Sequence, residues 1–308
     1  IDAYVIPSGD PHQSEYVSEQ WKIRDYFSNF TGSAGTLIVT QEDAGLWTDS
    51  RYFTQADHEL KNNCVVLHKL GQNRAPIHLQ WLMEKLNKGQ RIALSPGQHT
   101  LAGANHYQNY FAKSGIHVLT GFDPIDAIWS DRPVAPKAPI YALDIKYSGQ
   151  KRSEKLALLQ DTIETNGGDY YLLSALDDIA WLTNLRGSDV ECNPVFYSYF
   201  LAGKDRHVLF ANADCIPEDI KADLKQDHID VIDYSITLDF FAQLKGTVLC
   251  NMAQVNLPLA NAMEHCSLQA CKNPVPLAKG IKNATERKNV ETAMQKDAVA
   301  LCRLYMWL

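Results

Sequence analysis

Short apolar runs alternate with amphipathic stretches along the whole chain, which is the pattern of α/β domains built on mixed sheets. Six runs in the first half have the length and composition of strands: Ala3–Ile6, Thr36–Thr40, Leu46–Thr48, Cys64–His68, Arg91–Leu94 and His117–Leu119. The stretches between them predict helices over Glu19–Phe27, Ser50–Leu60, Pro76–Leu86, Leu101–Ser114 and Pro124–Ile128. The first half therefore predicts one complete α/β domain.

A proline-rich segment separates this half from a second series of elements. Asp131–Ile140 contains three prolines, which cannot donate to a β-ladder and which stiffen an extended path. The alternation then restarts, with strands and helices at Ile140–Leu143, Lys151–Asn166, Tyr170–Leu173, Leu176–Asn184, Val195–Leu201 and Arg206–Phe210, and further strands near Val231 and Val248. We therefore expect a first domain at residues 1–135 and a second at 136–277.

The two halves share a short phrase that suggests a diverged internal repeat. Asn29–Ser33 and Asn184–Ser188 each follow a predicted helix and precede a pair of strands. A glycine in each phrase, Gly32 or Gly187, is expected to supply the left-handed conformation that ends the helix.

A last helix begins at Asn283, which can cap it together with Glu286. Its apolar stripe runs from Val290 to Leu308 without a stop signal, and the chain opens at Ile1 in a strand already under way. We therefore expect residues 278–308 to be the start of a third domain and the chain to continue at both ends.

The composition is that of a soluble globular protein, with 45% hydrophobic and 21% charged residues among 308. A net charge of −7, without a cluster of Lys and Arg, argues against nucleic acid as a partner. No run approaches the roughly 18 to 20 apolar residues that cross a bilayer, which argues against a membrane protein. Seven cysteines at irregular spacings fit a reducing compartment, so the expected location is cytoplasmic.

The common catalytic motifs are not in the sequence. His58 and Glu59 lack a second histidine four residues after the first, where Asn62 stands, so the zinc-protease helix is missing. The serine in Gly32–Gly35 directly follows a glycine and does not form a nucleophile elbow. Cys64 and His68 are too far apart on a strand to share a metal, and Cys64 is expected to be a core residue.

Three polar segments carry candidate binding residues. At the junction after Leu46–Thr48, Asp49 or Ser50 can cap the following helix, and Arg51 either covers the surface or binds a carboxylate. His12, in the loop after the first strand, either contacts a substrate or is only solvated or hydrogen-bonded. In the third segment we expect Asp189 to pair with Arg186, with ligand contact as the alternative.

Taken together, these segments closely resemble the three-domain aminopeptidase P family, within the creatinase, prolidase and methionine-aminopeptidase group. The matching phrases cover essentially the whole chain: Asp2–Asp10, Phe30–Thr36, Leu46–Phe53, Ile128–Pro133, Ala175–Val190, Asn193–Phe196 and Asp297–Cys302. The resemblance implies two tandem, related creatinase-type N-terminal domains, each a mixed β-sheet flanked by helices. It further implies that the last helix opens a pita-bread catalytic domain.

The resemblance also implies an activity and its cofactors. The family removes the N-terminal residue of peptides whose second residue is proline, with two divalent metal ions, commonly Mn²⁺. The metal ligands lie beyond the last residue of this chain, so neither a catalytic residue nor a metal ligand is assigned here, and the chain alone is expected to be inactive.

A cleft-facing role is implied for one surface of the first domain, with the candidate substrate-binding residues Arg51, Asp49, Tyr52, Ser33 and His12. The expected partners are short peptides with proline second and a second copy of the chain in a homodimer. Two alternatives remain open, a catalytically dead creatinase-like protein-binding module and a prolidase-type dipeptidase.

Overall fold

The computed structural model describes residues 1–71 and 77–308, so Pro76, the expected first residue of one helix, lies outside the described residues. Within these ranges the first sheet has six strands: β1 (Ala3–Pro7), β2 (Thr36–Thr40), β3 (Ala44–Thr48), β4 (Val65–Lys69), β5 (Arg91–Leu94) and β6 (His117–Leu119). The helices of this domain are α1 (Ile23–Ser28), α2 (Phe53–Glu59), α3 (His78–Lys85), α4 (Leu101–Phe111) and α5 (Ile125–Ile128).

Alternation along the strands gives the first sheet two apolar faces. The spatial order is β4-β3-β2-β1-β5-β6, with β2 antiparallel to both of its neighbours and the remaining pairs parallel. Val5 and Ile38 pack on one face beneath α3 and α4, whereas Ile6 and Leu37 pack on the other beneath α1 and α2. Both faces are therefore covered by helices.

The second domain repeats this design. Its sheet consists of β8 (Tyr170–Leu173), β10 (Ser198–Gly203), β11 (His207–Ala211), β12 (Ile229–Asp233), β13 (Gly246–Cys250) and β14 (Cys266–Ala270), and a short ladder joins β7 (Tyr141–Ala142) to β9 (Leu185–Arg186). Its helices are α6 (Ile145–Ser148), α7 (Arg152–Asn166), α8 (Leu176–Thr183), α9 (Glu218–Gln226), α10 (Thr237–Gln243), α11 (Leu257–Ala262) and α12 (Val275–Gly280). Residues 132–140 join the two domains without a helix or strand.

The two sheets have the same strand order and the same strand directions. The second sheet runs β12-β11-β10-β8-β13-β14, with β10 antiparallel to both neighbours, so β8 corresponds to β1 and β13 to β5. The predicted fold class of two related α/β domains and the internal repeat are thus confirmed.

The expected role of the repeated glycines is wrong. The residues that end α1 and α8 in the left-handed conformation are Asn29, at φ 58°, and Asn184, at φ 55°. Asparagine is among the few side chains that tolerate this conformation. Gly32 and Gly187 are needed for space instead, because a Cβ at Gly187 would lie 2.8 Å from that of Phe196.

Equivalent elements of the two domains meet at their boundary. Thr100, the N-cap of α4, forms an antiparallel bridge with Asn256, the N-cap of α11. The amide of Leu257 donates to the carbonyl of His99 at 3.0 Å, and helices α4 and α11 are in contact. The segment after β5 therefore pairs with the segment after β13, its counterpart in the repeat.

The last helix, α13 (Ala284–Trp307), begins with the predicted capping box, in which Asn283 accepts from the amide of Glu286 and Glu286 accepts from that of Asn283. The Asn283 side-chain amide also donates to the Ser148 carbonyl at 2.8 Å, which ties the helix to the end of α6. The apolar side chains of α13 are exposed. Among the described helices, α13 included, none combines the length and the apolar character of a membrane span.

Candidate functional site

A cleft of about 470 Å³ opens where the first domain meets the second. One wall is the turn Thr31–Ser33 with Tyr52, a second is Tyr16 and Val17 with Trp21, and residues 190–192 of the second domain form the third. The cleft thus contains two of the sequence-predicted residues, Ser33 and Tyr52. A cavity of this volume, with both polar groups and aromatic rings, is suited to a small ligand or a short peptide segment.

Arg24 shapes one side of this cleft, and sequence reasoning missed it. Its side chain is only 4% exposed and donates to the carbonyl of Gly32, to Ser8 Oγ and, at 2.7 Å, to Asp25. The guanidinium also lies 4.9 Å from the centre of the Phe30 ring. The bonds from Nη1 and Nη2 fix the turn that carries Ser33, whereas the buried Nε has no hydrogen-bond partner among the described residues.

Tyr52 and Ser33 form the rigid edge of the cleft. Their hydroxyls are 2.7 Å apart, and the Tyr52 ring packs edge-on against Phe30. A Cβ at Gly32 would lie 2.7 Å from the Tyr52 ring and still closer to that of Phe30, so only glycine fits between them.

Arg51 lies beside this edge, on the exposed surface. Asp49 caps the helical turn Ser50–Tyr52 as predicted, and it also accepts two hydrogen bonds from the Arg51 guanidinium, both at 2.9 Å. The hydrogen bonds from Arg51 lower the pKa of Asp49, and those to Asp49 raise the pKa of Arg51. A carboxylate that binds Arg51 would therefore compete with Asp49 for the same face of the guanidinium.

His12 lies apart from these residues, and of its expected environments the structure has the hydrogen-bonded one and not the solvated one. The imidazole is 2% exposed and is inserted into the second domain. Its Nδ1 lies 2.8 Å from the carbonyl of Ser174, which can only accept, so Nδ1 carries the proton. Its Nε2 then accepts from the hydroxyl of Tyr234 at 2.7 Å. His12 therefore joins the two domains and does not face the cleft.

The surroundings of His12 keep it neutral. Its ring packs 4.4 Å from that of Tyr199 and 5.4 Å from that of Tyr197. Burial lowers the pKa of His12, and the Asp10 carboxylate opposes this effect. Asp10 is itself fully buried and accepts from the Tyr197 hydroxyl at 3.0 Å, so a second bond crosses the boundary beside the first.

The expected pair of Asp189 and Arg186 does not form. Asp189 accepts from the amides of Ala138 and Tyr197, at 3.2 and 2.9 Å, and so ties the linker to the second domain. Arg186 instead donates to the carbonyls of Ala180 and Leu185, which lie in its own neighbourhood. Both side chains have a structural role here.

Metal-binding groups are not clustered in this part of the molecule. Residues 1–71 and 77–308 contain no group of three or more His, Cys, Asp and Glu side chains that could hold a metal ion. Cys64 is exposed, contrary to the expected core position, and His68 stacks on the Trp47 ring at 4.2 Å. The described residues therefore do not fit a dinuclear metal centre.

The repeated sheets and the cleft at their boundary define a tandem α/β protein with a cleft between its two domains. Sequence models of the creatinase/prolidase N-terminal domain match residues 1–128 and again residues 131–286. The chain belongs to the creatinase/prolidase N-terminal domain family.

Similar proteins are Xaa-Pro aminopeptidases by name. The chain is 32% identical to aminopeptidase P2 of Arabidopsis thaliana and 33% identical to a probable Xaa-Pro aminopeptidase P of Pyricularia oryzae, and each match takes in all of this chain but 48% and 53% of the relative. It is also similar to the X-prolyl aminopeptidase of Caenorhabditis elegans, described as a cytosolic enzyme with a di-nuclear active site. That match has a TM-score of 0.93 and 27% identity over 100% of this chain and 52% of the other. The chain spans about half the length of the curated relatives.

Proposed function

We propose that this chain supplies the two N-terminal, non-catalytic domains of a metal-dependent Xaa-Pro aminopeptidase, which releases the first residue of peptides with proline second. The observation that carries the proposal is the likeness to the Caenorhabditis elegans enzyme over the whole chain, at a TM-score of 0.93. Domain boundaries near residues 135 and 277 belong to the same proposal, with α13 leading into the catalytic domain.

The role proposed for the first domain is to restrict and guide peptide entry. Ser33 and Tyr52 line the cleft and are held rigidly, and Arg51, paired with Asp49, lies over the Tyr52 ring at 5.1 Å. Rigid aromatic and hydroxyl groups beside an exposed guanidinium can position a peptide without taking part in bond cleavage. His12 is left out of this surface because it is buried between the domains.

The metal chemistry is assigned to another part of the longer protein. A peptide bond to proline is a tertiary amide, and two divalent cations can supply the nucleophile and polarise the carbonyl. Two such ions are in keeping with the di-nuclear active site of the Caenorhabditis elegans enzyme. Mn²⁺ as the metal, a cytoplasmic location and a homodimer complete the proposal, and the cytosolic neighbour supports the location.

The proposal is tested by a release assay with Mn²⁺ on a peptide that has proline second. We expect a longer chain, extended to the length of the curated relatives, to release the first residue and the 308-residue chain to release none. Release by the 308-residue chain alone would overturn the assignment of catalysis to another domain. Metal analysis and sedimentation of the longer chain test Mn²⁺ and the dimer.

The same assay separates the two alternatives. A longer chain that binds peptides but hydrolyses none would be a protein-binding module without activity. A longer chain that cleaves dipeptides ending in proline, but no longer peptide, would be a prolidase-type enzyme.

A further inference from the structure

The cleft continues along the boundary between the domains. A neighbouring cavity of about 340 Å³ shares Glu15, Tyr16 and Val190 with it and extends towards Asp177 and Gln254 of the second domain. The two cavities together form one groove, called here the boundary groove. Its walls come from both domains, so the groove exists only when the two domains of the chain are in contact.

Three aromatic side chains face the cleft end of the boundary groove. Tyr52 is held by Ser33, and Trp21 is held under the guanidinium of Arg132, 4.9 Å from its ring centre. Tyr16 is 57% exposed and lines both cavities. Grooves lined by aromatic rings of this kind bind extended proline-containing segments, whose rings pack on the aromatic faces and whose backbone is already ordered.

The charges that remain unpaired at the boundary groove are negative. Lys22, Arg24 and Arg51 lie on or beside the groove, and each forms an ion pair at 2.5 to 2.9 Å with a nearby carboxylate. Glu15 and Glu191 line the groove, are exposed, and form no ion pair within the part of the chain that the structure describes. A ligand with a positive charge is therefore favoured over one with a negative charge.

We infer that the boundary groove binds an extended peptide segment that contains proline and carries a positive charge. The prolyl rings pack on Tyr16 and Trp21, and the cation faces Glu15 and Glu191. This inference rests on the proposed function, because it places part of a peptide substrate on the non-catalytic domains. Proline lacks an N–H, so recognition depends on ring packing and charge instead of a β-ladder.

The experiment is calorimetric titration of the 308-residue chain with four capped peptides of equal length, in which Lys or Glu is combined with Pro-Pro or Ala-Ala. N-terminal acetylation blocks aminopeptidase action, so the titration measures binding alone. We expect the Lys-Pro-Pro peptide to bind about five- to tenfold more tightly than the Lys-Ala-Ala peptide, from the loss of ring packing. The Glu peptides should bind more weakly still, and added salt should reduce the difference.

Tyr16→Ala should weaken binding of the Lys-Pro-Pro peptide by about fivefold or more. The matched control is Tyr147→Ala, since Tyr147 is 52% exposed and lies outside the groove, and it should bind like the unchanged chain. Glu15→Gln combined with Glu191→Gln should remove the preference for Lys over Glu. Unchanged affinity in Tyr16→Ala, equal binding of the proline and alanine peptides, or binding to none of them would overturn the inference.

Failure of the inference and failure of the proposed function give different results. If the longer chain releases no residue but the capped peptides bind as expected, the aminopeptidase assignment is wrong and the inference that the groove binds peptides is supported. If the longer chain is active and Tyr16→Ala leaves KM unchanged for every peptide length, the inference that the groove binds peptides is wrong and the aminopeptidase assignment is supported.

Discussion

The Nε2 atom of His12 lies 2.7 Å from the hydroxyl of Tyr234, across the boundary between two domains that each have their own sheet. The same imidazole donates from Nδ1 to the carbonyl of Ser174. One side chain from the first domain therefore satisfies two buried polar groups of the second, which makes the contact costly to disrupt.

Replacing His12 with alanine is expected to destabilise the chain by about 2 to 4 kcal/mol, because the Ser174 carbonyl and the Tyr234 hydroxyl lose their partner while buried. Urea unfolding measures the change. His265→Ala is the control, since that side chain is 57% exposed, and it should have little effect. Tyr234→Phe combined with His12→Ala should cost less than the sum of the two single changes. Additive changes would mean that the two residues do not interact.

Acid is expected to destabilise the chain through its buried histidines. Burial lowers the pKa of His99 to about 4 and lowers that of His12, so the unfolded chain binds more protons once the pH falls below the ordinary histidine value of 6.5. Stability from His99 is fully present above pH 6.5 and is lost as the pH falls towards 4. Burial raises the pKa of Asp25, Asp178 and Asp189, which opposes this trend.

The histidine contribution is therefore measured as a difference between two proteins. Urea unfolding at pH 7, 5.5 and 4.5 should show a shallower pH dependence for His99→Phe than for the unchanged chain. The two should differ by up to about 3 kcal/mol over the whole range, from the change in pKa. Parallel pH profiles would show that His99 titrates normally.

Arg51→Ala is expected to raise KM for peptides several-fold in the longer, active chain, with kcat and folding unchanged, because Arg51 is exposed and, among the described residues, contacts only Asp49 and the face of the Tyr52 ring. Steady-state kinetics on peptides of increasing length give the measurement. Lys85→Ala is the matched control, as it removes a similarly exposed ion pair with Asp43 away from the cleft. If both variants behave alike, Arg51 has no part in peptide binding.

Gly32→Ala is expected to destabilise the chain by about 1 to 3 kcal/mol, because the added methyl group would displace the Tyr52 and Phe30 rings. Thermal unfolding provides the measurement, and peptide binding at the cleft should weaken in parallel. Gly121→Ala is the control, since a Cβ there meets no atom within 4 Å. An unchanged melting temperature in both variants would mean that the turn is free to move.

Elements with a strong local signal were predicted well. Thr36–Thr40 and Arg91–Leu94 have the predicted bounds, because short β-branched or apolar runs bounded by polar residues form few structures other than a buried strand. The Asn283 cap was also found, since its partner stands three residues away. The strand Cys266–Ala270 was not predicted, although its apolar and polar residues alternate, because it is a largely exposed edge strand of only five residues and the pattern is too short to be distinctive.

The candidate site was predicted only where it depends on local chemistry. The Asp49 cap lies within two residues of its partner, and the sequence reveals it. Arg24 lies in a predicted helix and is indistinguishable there from a surface cation, because two of its acceptors are carbonyls of a turn six to eight residues away and another is Ser8 Oγ, 16 residues away. The partners of His12 lie 162 and 222 residues further along the chain, and no local sequence pattern predicts a contact between residues so far apart in sequence.

The pairing of equivalent segments at the domain boundary has a consequence for how the molecule could specialise. Thr100 and Asn256, which bridge there, are corresponding N-caps of the repeat, and His12 follows β1 while Ser174 follows β8, the counterpart of β1. Such self-complementary contact is the geometry of a symmetric pair of identical chains, in which every substitution changes both sides at once. In a single chain the two domains of the repeat mutate independently. One domain can therefore carry an inserted imidazole, and the other the tyrosine pocket that receives it.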